Sequence, residues 1–250
     1  MAEKRHGPLA LLDEPGWLLA IESATGAASA ALWRGGETRD EEAAAPGDSA
    51  AAALLPAIDR LLRRAGVGVT ELAAFAIAIG PGSFTGLRIG VATVKGLAFG
   101  SQAPVAAVST LAALARAAGA GPEPVVALLD ARRGEVYGGA FRSGGEPADP
   151  RLPEGVFTPE QLVAKLPAHC RLTGEGAPLV LARLRAALGP GVTLSPSPGR
   201  CARPVAELGA RLLARGAGVP ASALVPRYLR RAEAEVRRTG ERLEAERGRC

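Results

Sequence analysis

Apolar residues come first in short runs separated by turns, and then in longer stretches where they recur every three or four positions. "WLLAIESAT" and "GAASAALWRGG" are apolar runs broken at Ser23–Gly26, which predicts an antiparallel pair, and a third short strand is expected near Glu37–Glu42. Asp48 or Ser49 caps a helix that carries Leu54, Leu55, Ile58, Leu61 and Leu62 on one face. Gly66 stops this helix. Pro56 inside it removes one backbone donor and is expected to kink it. "LAAFAIAIG" reads as a buried strand, and "GPGSFTGLRIG" leads from it into a helix through Phe99. "PVAAV" and "STLAALARAAG" supply another strand and a helix capped by Ser109.

The second half repeats this style. "PVVALLD" and "GEVYGGAF" are strands joined by a turn at Arg132, Arg133 and Gly134, and a Pro- and Gly-rich connection follows over Ser143–Gly155. Helical patterns cover Pro159–Leu166, Leu179–Leu188 and Pro204–Arg215, with short strands between them. The expected organisation is a flexible leader (1–16), one lobe over 17–108, a second over 109–230, and a charged tail (231–250) dispensable for folding. No short sequence repeat is visible. Antiparallel strands followed by alternating units predict an α/β protein with two lobes and mixed sheets.

Composition narrows the function classes. The chain has 250 residues, enough for a sizeable core, but its 48% hydrophobic content is largely alanine and only 4% is aromatic. Lys and Arg together number 30 against 25 acidic residues, a net charge of +5, which permits an RNA or acidic partner without requiring one. Cys170, Cys201 and Cys250 are odd in number and widely spaced, so no disulfide framework is expected and a reducing, cytoplasmic setting is. The leader's apolar run is too short for a signal peptide. Gly96–Ala115 is uncharged, but Gln102, Pro104 and several hydroxyls interrupt it, so strand and loop are expected there and no membrane span.

The stretch "GPGSFTGLRIG" (Gly80–Gly90) is the leading chemical candidate. A strand feeding glycines into a helix start offers free N–H groups and about half a positive charge to a phosphate. The spacing fits neither a phosphate-loop nor a dinucleotide fingerprint, and Ser83 does not sit in a nucleophile turn. His6 and His169 are the only histidines, without a partner pattern for hydrolysis or metal binding. The glycines within the helix instead point to close packing. Gly86 and Gly90 share one side, Leu87, Val91, Val94 and Ala98 form the apolar face, and Arg88 and Lys95 line up as a basic edge.

Five segments, "LLAIESAT…SAALW", "GPGSFTGLRIG", "PVAAVSTLAALA", "DARRGEVY" and "PRYLR", carry a resemblance to the bacterial TsaB (YeaZ) family that runs from about Trp17 to Arg230. The resemblance implies a fold of the acetate-kinase/Hsp70/actin type. It also implies a role in making N6-threonylcarbamoyladenosine at position 37 of tRNAs that read codons starting with A. The family's proteins are non-catalytic partners of TsaD, the paralogue that holds the metal and transfers the threonylcarbamoyl group. TsaE, an ATPase, joins the same assembly. Metal and nucleotide are therefore expected on the partners and no cofactor on this chain, with tRNA met through the complex and a homodimer formed in isolation.

The apolar positions of the two long helices outnumber what one sheet face needs, so an association surface is expected there, with Leu54, Ile58, Leu61, Leu62, Gly86, Gly90, Val91 and Val94 presented to the partner and Arg88 and Lys95 at its rim. The alternative is that these residues cover the sheet, and the resemblance makes the partner the equivalent helix pair of TsaD. Glu22, Ser23, Gly82 and Ser83 would be what is left of a phosphate loop. Where the family commonly has Asp, this chain has Glu22, whose longer side chain moves its oxygens outward. Many relatives have a histidine before the first long helix, where this chain has Asp48 and Ser49. The competing readings are a stand-alone actin-like kinase or ATPase, with "GEGA" (Gly174–Ala177) as its nucleotide loop, and a direct RNA-binding module.

Overall fold

The structure, a computed structural model, describes residues 16–45, 47–142, 145 and 152–230. The leader apart from Gly16, most of the Ser143–Gly155 connection and the charged tail lie outside the described residues. The chain divides into two units. The first comprises the described residues up to Ile79, Thr85–Ser109 and Gly199–Pro226; the second comprises Gly80–Phe84, the described residues within Thr110–Pro198, and Arg227–Arg230.

The first unit is built on β1 (Trp17–Glu22), β2 (Ser29–Arg34), β3 (Glu37–Ala43), β4 (Leu72–Ala78) and β5 (Val105–Val108), in the order β3-β2-β1-β4-β5. β1, β2 and β3 pair antiparallel, while β4 and β5 add in parallel. α1 (Ala50–Ala65) and α2 (Phe84–Leu97) are the crossovers that parallel pairing requires. Side-chain alternation along the strands gives the sheet two different faces. Leu19, Ile21, Leu32, Phe75 and Ile77 form one core with Leu54, Ile58, Leu61 and Leu62 of α1 and Val91 and Val94 of α2. The intervening positions, among them Ala20, Ala31, Ala76 and Ala106, are small and buried. The helix Ala202–Ala214 lies on that side, so close that a Cβ on its Gly209 would stand 2.4 Å from the Ala76 Cβ.

The caps of α1 follow the sequence reading. Ser49 is its N-cap and accepts from Ala52 N, and Gly66 ends it in the left-handed region at φ 65°. The helix runs without interruption through exposed Pro56. Leu55 departs from the expectation: it is 54% exposed, because it sits about 100° around the helix from Leu54 and faces away from the sheet.

The second unit repeats the topology of the first. β6 (Val125–Asp130), β7 (Val136–Phe141) and β8 (Gly155–Phe157) pair antiparallel, and β9 (Cys170–Thr173) and β10 (Val192–Leu194) add in parallel, giving β10-β9-β6-β7-β8. α3 (Thr110–Ala117) packs on β6 and β7, while α4 (Pro159–Lys165) and α5 (Ala177–Leu188) pack on each other. Leu162, Val180 and Leu184 from α4 and α5 meet Val126, Leu128 and Leu172 in the second core. Two mixed sheets flanked by helices, with one strand order used twice, give the actin-type α/β architecture that the resemblance implies. The expected lobe boundary at 108/109 places the helix Ala202–Ala214 (α6) in the second lobe, but it packs on the first sheet because its Ala- and Gly-rich face fits the small-residue side there.

Candidate functional site

β1 ends in a buried carboxylate. Glu22 is 0% exposed and accepts from Ala24 N at 2.6 Å, Thr25 N at 2.9 Å and Thr25 Oγ1 at 2.6 Å. Both oxygens are thus taken up by the turn that follows the strand. Ser23, also buried, donates its hydroxyl proton to the Gly86 carbonyl oxygen at 2.8 Å. A Cβ on Gly90 would lie 2.3 Å from that same Ser23 oxygen and 3.2 Å from Ile77 Cδ1. Gly90 therefore admits this chain's own β1 turn and β4, and Gly86, buried beside it, receives the Ser23 hydroxyl on its carbonyl. This corrects the expectation that they open α2 to a partner helix. Of the four phosphate-loop candidates, the structure sets Glu22 and Ser23 at the start of α2, while half-buried Gly82 and exposed Ser83 lie in the second unit's Gly80–Phe84 segment.

The N-terminus of α6 completes this end of the first unit. Its N–H groups would attract an anion, but Ala202 N donates to Ser29 Oγ at 3.2 Å and Arg203 N to Glu41 Oε1 at 3.0 Å. Cys201 sits at the helix start, buried, and its thiol pKa is pushed up by burial and by the nearby charges of Glu22 and Glu41. In the second unit the "GEGA" glycines also serve packing. A Cβ on Gly174, at φ 91°, would meet Leu128 O at 2.3 Å, and one on Gly176 would meet the Leu129 backbone at 2.7 Å. Gly176 N donates to Leu128 O at 3.0 Å, fixing the loop against β6.

The helix positions read as a partner surface need correcting too. Leu54, Ile58, Leu61, Leu62, Val91 and Val94 are all buried in the first unit's own core, and Gly86 and Gly90 are buried as well. A 3.6-residue apolar stripe marks a buried face without saying what buries it. Lys95 donates to Ser222 O at 3.3 Å within the same unit, and Arg88 remains exposed. The outward side of these elements carries Leu55, 54% exposed, and Phe99, 90% exposed just beyond α2.

A second constellation gathers in the second unit, from segments far apart in the sequence. The hairpin between β6 and β7 turns through three consecutive left-handed residues, Arg132 (φ 64°), Arg133 (φ 57°) and Gly134 (φ 77°). Asp130 Oδ1 accepts from Arg132 N at 2.6 Å. Arg230 of "PRYLR" braces the hairpin, donating to Ala131 O at 2.8 Å and to the Glu135 carboxylate. Tyr228 stacks on Phe84 of "GPGSF" with ring centroids 4.8 Å apart, and Arg227 pairs with Glu154 at 2.8 Å. Three of the segments that carry the resemblance thus converge in one unit. The strand-end positions of Asp130 and Glu135 mark turn-capping carboxylates in the sequence, but nothing there pairs them with "PRYLR".

Among the described residues no three His, Cys, Asp or Glu side chains cluster as a metal site requires, and no helix is long and apolar enough to cross a membrane. A family model described as "TsaD: tRNA N6-adenosine threonylcarbamoyltransferase" matches residues 48–186, which puts the duplicated fold in the class of that transferase and its paralogues. The tRNA threonylcarbamoyladenosine biosynthesis protein TsaB of Escherichia coli is 41% identical over 122 residues, 48% of this chain and 52% of the relative. The Haemophilus influenzae protein of the same name is 44% identical over 123 residues, 48% and 51% respectively. This chain spans about half the length of these curated relatives. The solved structure of YeaZ from Pseudomonas aeruginosa superposes with a TM-score of 0.72 at 36% identity, over 86% of this chain and 100% of that one. The chain belongs to the bacterial TsaB (YeaZ) family.

Proposed function

We propose that the chain is a non-catalytic subunit of the assembly that synthesises N6-threonylcarbamoyladenosine at position 37 of tRNA in the cytoplasm, and that it works by associating with a TsaD-type transferase. The observation that carries this reading is the Glu22 turn. A carboxylate that would face metal-bound phosphate in an actin-like enzyme is buried and hydrogen-bonded to its own loop. Metal and nucleotide then belong to the transferase and to a TsaE-type ATPase, and tRNA reaches this chain through the assembly. The outward faces of α1 and α2, with Leu55, Arg88 and Phe99, are the association surface, which a second copy of the chain covers when the transferase is absent.

The test compares the chain alone with the reconstituted assembly. Alone it should neither hydrolyse ATP nor modify tRNA. Added to a TsaD-type transferase and a TsaE-type ATPase with threonylcarbamoyl-adenylate, it should bring tRNA modification well above the level those proteins reach without it. Equal modification with and without the chain would overturn the proposal.

A further inference from the structure

We propose that the apex of the β6–β7 hairpin is a contact for the phosphodiester backbone of tRNA, with Arg132 and Arg133 as the phosphate ligands; this rests on the function proposed above. Left-handed backbone disfavours residues with a Cβ, and such conformations persist mainly where function requires them. Glycine or asparagine would hold φ 64° and 57° more cheaply than arginine, so the side chains are the reason for arginine at these two positions. Both residues are exposed, the Arg132 side chain at 86%. Arginine's planar fork matches phosphate oxygens in a bidentate way, and the exposed Arg132 guanidinium, which pairs with Asp130 at 3.3 Å, can exchange that weak surface ion pair for a phosphate.

The mount is rigid. Asp130 holds the Arg132 backbone, and Arg230 ties Ala131 and Glu135 to the "PRYLR" segment. Two residues before Arg230, Tyr228 stacks on Phe84, which places half-buried aromatic rings on the segment that braces the hairpin. An exposed hairpin apex suits a backbone lying across it better than a small nucleotide, which needs a concave pocket.

The test uses the full-length protein and an unmodified transcript of a tRNA that reads codons starting with A, followed by fluorescence anisotropy from about 50 to 200 mM salt. Wild type should bind with a steep salt dependence. R132N/R133N should raise the Kd at least about tenfold and flatten the slope of log K against log salt by about 1–2. Asparagine tolerates the left-handed region, so the variant's melting temperature should be unchanged or higher, which keeps loss of binding separate from loss of fold. Unchanged affinity and slope in the variant, no salt-dependent binding by wild type, or displacement of the RNA by ATP at the same site would each overturn the proposal. In the reconstituted assembly, R132N/R133N should raise the KM for tRNA with kcat kept. If the assembly needs the chain but the variant leaves that KM unchanged, this proposal falls and the proposed function stands. If the assembly does not need the chain at all, the proposed function falls.

Discussion

A Cβ on Gly90 would lie 2.3 Å from the Ser23 hydroxyl oxygen, which is itself held in place by its 2.8 Å hydrogen bond to the Gly86 carbonyl. Gly90→Ala should therefore destabilise the protein. Alanine gains about 1 kcal/mol over glycine within a helix, but overpacking a filled site costs about 1–3 kcal/mol. Ser23→Ala removes the offending oxygen and leaves its Cβ 3.5 Å away, so the double variant should recover part of the loss. Urea unfolding of the two single variants and the double should give a coupling of about 1 kcal/mol. Strict additivity would mean that Gly90 answers to some other contact.

The strands, the capped α1 and the apolar stripes were legible because they rest on local periodicity and cap chemistry. The stripe Leu54, Ile58, Leu61 and Leu62 was visible, but the partner that covers it was not, because burial by the chain's own sheet and burial by another protein leave the same pattern. Leu55 was misplaced by adjacency alone. The placement of α6 on the first sheet depends on the fit of Gly209 against Ala76, a contact far apart in sequence. The duplicated strand order is invisible in residue identities, since the two halves reach it with different side chains. The hairpin constellation was hidden for the same reason: Arg230 and Glu135 are 95 residues apart.

Glu22→Gln tests the closed turn. Two backbone donors share Oε1 and the Thr25 hydroxyl meets Oε2, so glutamine keeps its oxygen for the backbone donors and turns its N–H₂ to the hydroxyl, which then accepts; what is lost is the charge in these bonds. Hydrogen bonds to charged groups contribute about 1.5–3 kcal/mol, so the variant should lose stability on that scale in urea unfolding. ATP hydrolysis by the purified protein should stay at background for both forms. Hydrolysis by wild type that Glu22→Gln abolishes would restore the kinase reading.

The buried cysteines predict a loss of stability at alkaline pH. Burial pushes the Cys170 thiol from its ordinary 9.0 up to about 11, and Cys201 shifts in the same direction. Between these values the unfolded chain ionises its thiol while the folded one keeps its proton, so the unfolded state binds fewer protons and stability falls as pH rises. The decline should begin near pH 9 and level off above about 11 for Cys170. At about 1.4 kcal/mol per pKa unit this is a loss of about 1–3 kcal/mol for that residue. Cys170→Ala should flatten this limb, as read from urea midpoints across the pH series; an unchanged limb would assign it to other groups.

Association should follow the outward faces of α1 and α2 and leave their buried stripes aside. Ile58 is 2% exposed and Val91 6%, so Ile58→Asp or Val91→Asp puts an unpaired carboxylate in the core and should unfold the first unit, since an uncompensated buried charge costs about 3–5 kcal/mol or more. Leu55 and Phe99 are 54% and 90% exposed, so Leu55→Asp and Phe99→Asp should fold normally, with melting temperatures within a few degrees of wild type. Central apolar anchors dominate interface energies at about 2 kcal/mol or more each, so the double variant should weaken binding to the transferase, and self-association, by at least about thirtyfold. Sedimentation of the chain alone and co-purification with a TsaD-type transferase measure the two. A folded double variant that still binds both would move the association surface away from these helices. An Ile58→Asp protein that stays folded would mean that the stripe can leave the sheet, returning it to consideration as a partner face.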